Sequence, residues 1–144
     1  MNSLKKIKEW LNTFTSFNEQ EQVDCQYIRQ FLEEEPNLLL RDNVKMHFTA
    51  SAWVLNPSKD KVLMLYHNIY QSWSWSGGHA DGEGDLLSVA MKEVKEESGL
   101  VSLKPLSDSP ISIEILGVQP HYKKQKYVSA HLHLNYTFLL HNTK

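Results

Sequence analysis

The sequence predicts an α/β protein, because helix-like and strand-like segments alternate along one chain of 144 residues. Before residue 45, apolar residues recur every three or four positions, as expected for amphipathic helices. From His47 the period changes to two, which is typical of strands with one buried face. A further helix-like segment interrupts the strand-like ones. We therefore expect an N-terminal helical extension, residues 1–45, and an α/β domain with helices packed on a sheet, residues 46–144.

Charge and cysteine content exclude several classes of protein. A formal net charge of −2 argues against a general nucleic-acid-binding surface, which would be strongly basic. The single cysteine, Cys25, allows no intrachain disulfide, so a reducing cytoplasm is the simplest location. There is no apolar run of 18 residues and no signal-peptide core, and we expect no membrane span.

Two helices are predicted in the extension. Leu4, Ile7, Leu11 and Phe14 mark the first, with Ser3 as its N-cap, and Val23, Tyr27, Ile28 and Phe31 mark the second. The second helix should stop before Pro36, because the residue before a proline is pushed out of the helical region. We expect the pair to pack against the sheet; a lid or a homodimer contact is the alternative.

A hairpin is predicted next. Residues 47–55 alternate as one strand, and residues 61–66 return as a second, more buried strand after a turn at Ser58-Lys59-Asp60. Trp73 and Trp75 suit core or hairpin packing, and stacking on a base is the alternative. Gly77 and Gly78 suit a place where the backbone turns tightly or approaches a phosphate.

A third helix is predicted between Asp85 and Gly99. Asp85 can cap its N-terminus, and Gly99 can take the left-handed conformation that ends it. Its apolar face is formed by residues spaced three and four apart: Leu87, Ala90, Met91 and Val94.

The opposite face of this helix carries three carboxylates. Glu93, Glu96 and Glu97 fall within an arc of about 100°, where like charges repel in the absence of a cation. A solvated face with Lys92 paired to Glu96 is one interpretation. A hard divalent cation such as Mg²⁺, which prefers oxygen ligands and substrate phosphates, is the other.

The last third of the chain predicts strands and a lysine-rich hairpin. Ile111, Ile113 and Ile115 alternate with polar residues, and residues 128–140 form the clearest strand of all. Lys124 lies at the hairpin tip between them, in solution or against a substrate phosphate.

His131 and His133 share one face of the last strand. A His-x-His pair on a strand can bind zinc, but a third strong ligand at a recognisable spacing is missing. We favour a polar cleft wall that presents donors to a substrate.

The segment Gly78–Leu100 resembles the signature of the Nudix hydrolases, G-x5-E-x7-R-E-U-x-E-E-x-G-U, where U is a bulky aliphatic residue. Seven positions are in register: Gly78, Glu93, Val94, Glu96, Glu97, Gly99 and Leu100. Two positions depart from the pattern. Gly84 stands where the family has its first glutamate, with Glu83 and Asp85 beside it, and Lys92 stands where the family has arginine.

The resemblance implies a Nudix-like α/β/α sandwich around a mixed sheet. It also implies a metal-dependent hydrolase that cleaves the pyrophosphate of a nucleoside diphosphate linked to another moiety. Glu93, Glu96 and Glu97 would hold Mg²⁺ or Mn²⁺, and Glu93 would take the proton of the attacking water. Gly77, Gly78, Lys124, His131 and His133 are the candidate substrate contacts. The alternative is a binding module of the same fold that has lost catalysis; an isoprenoid diphosphate isomerase lacks identifiable acid–base residues here.

The resemblance covers about residues 45–140. Family members usually continue with another strand and a final helix, for which the sequence leaves no room after Leu140. Truncation, a partner chain, or cover by the N-terminal helices would each explain this, and the sequence does not choose among them.

Overall fold

The computed structural model describes residues 3–67 and 71–144, and it contains a mixed sheet with helices against it. The helices are α1 (Lys5–Thr13), α2 (Glu19–Glu34) and α3 (Leu86–Ser98). The strands are β1 (Met46–Leu55), β2 (Leu65–His67), β3 (Ser72–Ser74), β4 (Ser76–His79), β5 (Leu103–Pro105), β6 (Ser112–Val118), β7 (His121–Lys123), β8 (Lys126–Val128) and β9 (His131–Asn142). The predicted α/β class is confirmed.

Strand β9 is the centre of the main sheet. It pairs in parallel with β1 on one side and antiparallel with β6 and β5 on the other, while β4 pairs antiparallel with the far edge of β1. Strands β2–β3 and β7–β8 form two separate hairpins. The parallel pair among antiparallel neighbours makes the sheet mixed, as predicted.

Alternation along β1 and β9 gives the sheet an apolar face and a polar face. The apolar face is fully buried and includes Phe48, Ala50, Leu134, Tyr136 and Phe138. The polar face carries the intervening residues, which are partners across the β1–β9 register: His47 with His133, Thr49 with Asn135, and Ser51 with Thr137.

The N-terminal helices pack against the sheet, as expected. On α1, Trp10 makes an edge contact with Phe138 at 5.2 Å between ring centroids, and its indole N–H donates to Asp108 O at 2.9 Å. The Tyr136 hydroxyl donates to Ile7 O at 3.2 Å. Because α1 and the sheet share one core, the division at residue 45 is not visible as a gap in packing, and it stays a prediction.

Helix α2 lies along the outer edge of β6. Its side chains accept from edge-strand amides, with Ile113 N donating to Glu21 Oε2 at 3.3 Å and Ile115 N donating to Asp24 Oδ2 at 3.1 Å. These bonds satisfy backbone donors that would otherwise be open to another strand.

Several local predictions were wrong. Helix α1 begins after Leu4, so Ser3 is not its cap. On α2 the buried residues are Glu21, Cys25 and Ile28, because the helix turns its sequence-predicted Val23 and Tyr27 to solvent.

The segment at 61–66 was predicted to be the more buried strand of a hairpin. Val62 is instead exposed and makes only an isolated bridge to Leu55, and β2 begins at Leu65. The Trp73 ring packs edge-on against Tyr66 across the β2–β3 hairpin, which confirms hairpin packing for that tryptophan.

Within the described residues, none of the helices has both the length and the apolar character needed to cross a membrane.

Candidate functional site

Helix α3 is bounded as its sequence predicts. Ser88 N donates to Asp85 Oδ1 at 3.4 Å, so Asp85 caps the N-terminus. Gly99 has φ of 79°, and its N–H donates to Lys95 O at 3.0 Å, which closes the C-terminus. The start and end of the helix fix which way its glutamates point.

Glu93 lies directly over Gly78 of β4. A Cβ atom on residue 78 would be 2.4 Å from Glu93 Cδ, so only glycine leaves room for this carboxyl group. Burial, followed by the charges of Glu97 and Glu96, raises the pKa of Glu93. A carboxylate with a raised pKa is a better proton acceptor than one in water, which suits a general base.

Glu97 and Glu96 are more exposed than Glu93. The Ser76 hydroxyl donates to Glu97 Oε1 at 2.6 Å, so Glu97 also reaches β4. Glu96 faces solvent beside Lys92, at 3.9 Å between Oε1 and Nζ. Strand β4 therefore holds two of the three glutamates, and the third keeps the pairing expected of a solvated face.

The departure at Gly84 has a structural cause. A Cβ atom on residue 84 would lie 1.8 Å from the backbone oxygen of Ser3, so the N-terminal segment crosses the position where the family pattern has glutamate. The neighbouring acids are already engaged: Glu83 Oε1 accepts from Asp85 N at 2.9 Å, and Asp85 pairs with Lys6 at 3.3 Å.

The five predicted substrate contacts do not lie together. Gly78 of β4 lies beside Glu93, whereas Gly77 faces the other side of that strand, toward Ser51. Lys124 is an exposed turn residue with φ of 51°. His131 and His133 lie on the polar face of the sheet. Gly78 and His79 are adjacent in one strand and so face opposite sides of it, which separates the glutamates from the histidines.

The polar face next to these histidines is filled by an internally bonded network. Thr49 Oγ1 donates to Asn135 Oδ1 at 2.8 Å, and Asn135 Nδ2 donates to Glu114 Oε1 at 2.8 Å. Ser51 and Thr137 hydroxyls are 2.9 Å apart. Because these buried donors and acceptors already pair with each other, this part of the face is structural.

His133, one of the two histidines that the sequence suggested as a zinc pair, has two further histidine neighbours that the sequence did not predict. His47 and His79 join His133, and one ligand nitrogen from each lies within 4.8 Å of the others. Among the described residues, these three histidines are the one group of three whose possible metal-ligand atoms lie this close together. Glu93, Glu96 and Glu97 do not form such a group. His47 and His79 carry no spacing signal, because three different strands bring the rings together.

The fold and the site thus define a mixed α/β protein with an acidic helix on one side of a sheet and a histidine cluster on the other. Among solved structures, the chain is similar to an Ap4A hydrolase from C. elegans, with 21% identity over 66% of this chain and 68% of that chain and a TM-score of 0.43. No family model and no curated protein matches the sequence. A likeness this low carries no argument about activity, so function has to be argued from the residues themselves.

Proposed function

We propose that this chain is a Nudix-like, metal-dependent hydrolase that cleaves the pyrophosphate of a nucleoside diphosphate linked to another moiety. The observation that carries the proposal is the placement of Glu93: it stands at the signature position of helix α3 and folds into the space above the signature glycine, Gly78. Sequence spacing and packing thus agree on the same pair of residues.

The donor set fits a hard divalent cation. Glu93, Glu96 and Glu97 offer only oxygen atoms from one helix face, which is what Mg²⁺ and Mn²⁺ prefer, and Mg²⁺ completes its coordination with waters and substrate phosphates. Glu97 and Glu96 lie close enough to Glu93 for their charges to raise its pKa. When bound, such a cation would neutralise phosphate charge and lower the pKa of a coordinated water.

The chain's own residues supply the remaining chemistry. Glu93, whose pKa is raised, would accept the proton of the attacking water. Ser76 holds Glu97 by its 2.6 Å hydrogen bond and so limits the rotation of that carboxylate. Gly78 contributes by leaving the space that the Glu93 carboxyl group occupies. A phosphate contact at Gly77 or Gly78 stays a prediction.

Replacing Glu97 with Gln tests this assignment. We expect the variant to keep its fold and to lose most metal-dependent turnover, by roughly 100-fold or more, because the amide is a poor ligand for a hard cation. Phosphate release from a panel of nucleoside diphosphate compounds with Mn²⁺, coupled to a phosphatase, measures this. Glu34→Gln on the exposed face of α2 is the matched control, and wild-type-like turnover by folded Glu97→Gln protein would contradict the proposal.

The second candidate is a binding module of the same fold without catalysis. Two observations favour it. The N-terminal segment crosses Gly84, where the family pattern has glutamate, and Lys92, which replaces the family's arginine, is exposed. If compounds in the panel raise the melting temperature and none is cleaved, this interpretation is correct.

Four expectations about location and partners remain predictions: a cytoplasmic location, a small-molecule diphosphate as partner, no stable nucleic acid partner, and a homodimer.

A further inference from the structure

Four imidazole rings meet on the polar face of the sheet, on the side away from the glutamates. His47 is on β1, His79 on β4, and His131 and His133 on β9. Their ring centroids are 5.0 to 5.3 Å apart in five of the pairings. The parallel register of β1 and β9 sets His47 beside His133. The antiparallel pairing of β1 and β4 sets His79 opposite Thr49, the next residue after His47 on the same face of β1.

The tautomer of His47 is fixed by its backbone neighbour. His47 Nδ1 lies 3.1 Å from Asn43 O, and because a carbonyl oxygen only accepts, Nδ1 carries the hydrogen. The lone pair is therefore on Nε2, which is buried and has no hydrogen-bond partner among residues 3–67 and 71–144. An unpaired buried acceptor is destabilising, and a cation would satisfy it.

His131 is oriented in the same way. Its Nδ1 lies 2.8 Å from Ser129 O, so the lone pair is again on Nε2, which is 3.2 Å from His133 Nε2. Because His131 Nε2 can only accept, His133 Nε2 donates this hydrogen bond, and the lone pair of His133 is on its Nδ1. A backbone carbonyl on the ring nitrogen that faces away from the metal, as Asn43 O supplies for His47, is the usual support of a metal-bound histidine.

We propose that His47, His79 and His133 form a binding site for a zinc ion, separate from the site on helix α3. Three imidazole nitrogens suit Zn²⁺ and leave a fourth position open, beside which His131 lies. Their ligand atoms lie within 4.8 Å of one another, so modest ring rotations bring them to bonding distance. Hard cations such as Mg²⁺ have little affinity for such a set.

The surroundings keep these rings in the form that coordinates metal. Burial above all lowers the pKa of His79 to about 4, with the Arg41 charge as the next cause, and lowers that of His133 to about 3, with the neighbouring histidines as the next cause. Both rings are neutral at pH 7, so binding displaces no proton from them. Arg41 and Asp81, which also reach His79, neutralise each other through two hydrogen bonds of 2.9 Å.

Zinc titration of the chelator-stripped full chain tests the proposal. We expect one Zn²⁺ per chain by calorimetry and by competition with a chromophoric chelator. His79→Gln and His133→Gln should each weaken that affinity at least 100-fold, since each removes a ligand. Cobalt bound in place of zinc should give the intense visible absorption of tetrahedral coordination by nitrogen in the wild-type protein.

Two variants serve as matched controls, and circular dichroism checks the fold of each. His141→Gln changes a histidine on the same strand whose ring contacts Pro57 O instead, and Glu93→Gln changes the acidic helix. Both should bind Zn²⁺ as the wild type does. The proposal is overturned if the folded wild-type protein binds no stoichiometric Zn²⁺, if the two ligand variants bind it normally, or if Glu93→Gln abolishes binding.

Discussion

Gly78 leaves the space into which the Glu93 side chain folds, and this contact, together with the Ser76–Glu97 hydrogen bond, links strand β4 to helix α3. A methyl group there would meet the Glu93 carboxyl carbon at 2.4 Å. Since the obstructing atoms are the far end of a flexible side chain, the carboxyl group can move away with little loss of stability. The proposed base would then be displaced from its place in the site.

We therefore predict that Gly78→Ala keeps its stability within about 1 kcal/mol but lowers turnover by about 100-fold, the effect of misplacing a catalytic group by about 1 Å. Urea unfolding and the coupled phosphate assay measure the two quantities. Gly117→Ala is the control, because a Cβ atom there meets nothing within 4 Å. Full turnover by Gly78→Ala would mean that the position of Glu93 over this glycine does not matter to catalysis.

Helix α2 shows how one element protects another. Asn18 caps it by accepting from Glu21 N at 2.9 Å, and Glu21 in turn accepts from Phe17 N at 2.7 Å, an exchange like a capping box. The second carboxylate oxygen of Glu21 accepts from Ile113 on edge strand β6. One buried side chain thus fixes both the start of the helix and its attachment to the sheet.

Glu21→Ala should lower the free energy of unfolding by about 2 kcal/mol, because two backbone donors lose a charged acceptor at once. Glu34→Ala on the same helix, which is exposed and paired with Gln30, should change it by less than about 0.5 kcal/mol. Urea denaturation followed by circular dichroism compares the two. Equal effects of the two substitutions would show that the contact with β6 contributes nothing.

The half-buried histidines His79 and His133 make the stability of the whole metal-free molecule depend on pH. The pKa values of these two histidines are lowered in the folded state, to about 4 for His79 and about 3 for His133, while in the unfolded chain both bind a proton near the ordinary histidine value of 6.5. Below that pH the unfolded chain holds more protons than the folded one. Stability is therefore fully present above about pH 6.5 and is lost as the pH falls toward 4.

In the presence of a chelator, the free energy of unfolding should fall steadily between pH 6.5 and pH 4.5, with uptake of roughly two protons on unfolding. The hydrogen bonds from Arg41 lower the pKa of Asp81, which also faces these rings, so this carboxylate stays ionised in this range. Urea titrations at a series of pH values measure the slope. His79→Gln should flatten it, and a wild-type slope near zero would show that the rings are not buried as neutral groups.

Periodicity and local capping chemistry in the sequence determined the α/β class, the bounds of helix α3, the alternating faces of β1 and β9, and the shared face of Glu93, Glu96 and Glu97. These features depend on residues a few positions apart, so their spacing is visible in the chain. The buried face of α2 was predicted less well. The side of this helix that faces the sheet is set by its contacts with β6, and these cannot be read from the spacing of residues within the helix.

Only the tertiary structure decided the contacts between distant segments. Parallel register sets His47 beside His133, β4 brings His79 to them, and the N-terminal segment crosses Gly84 at Ser3. The physical reason is that strand pairing and register join residues far apart in sequence, and no local period records which strands will be neighbours.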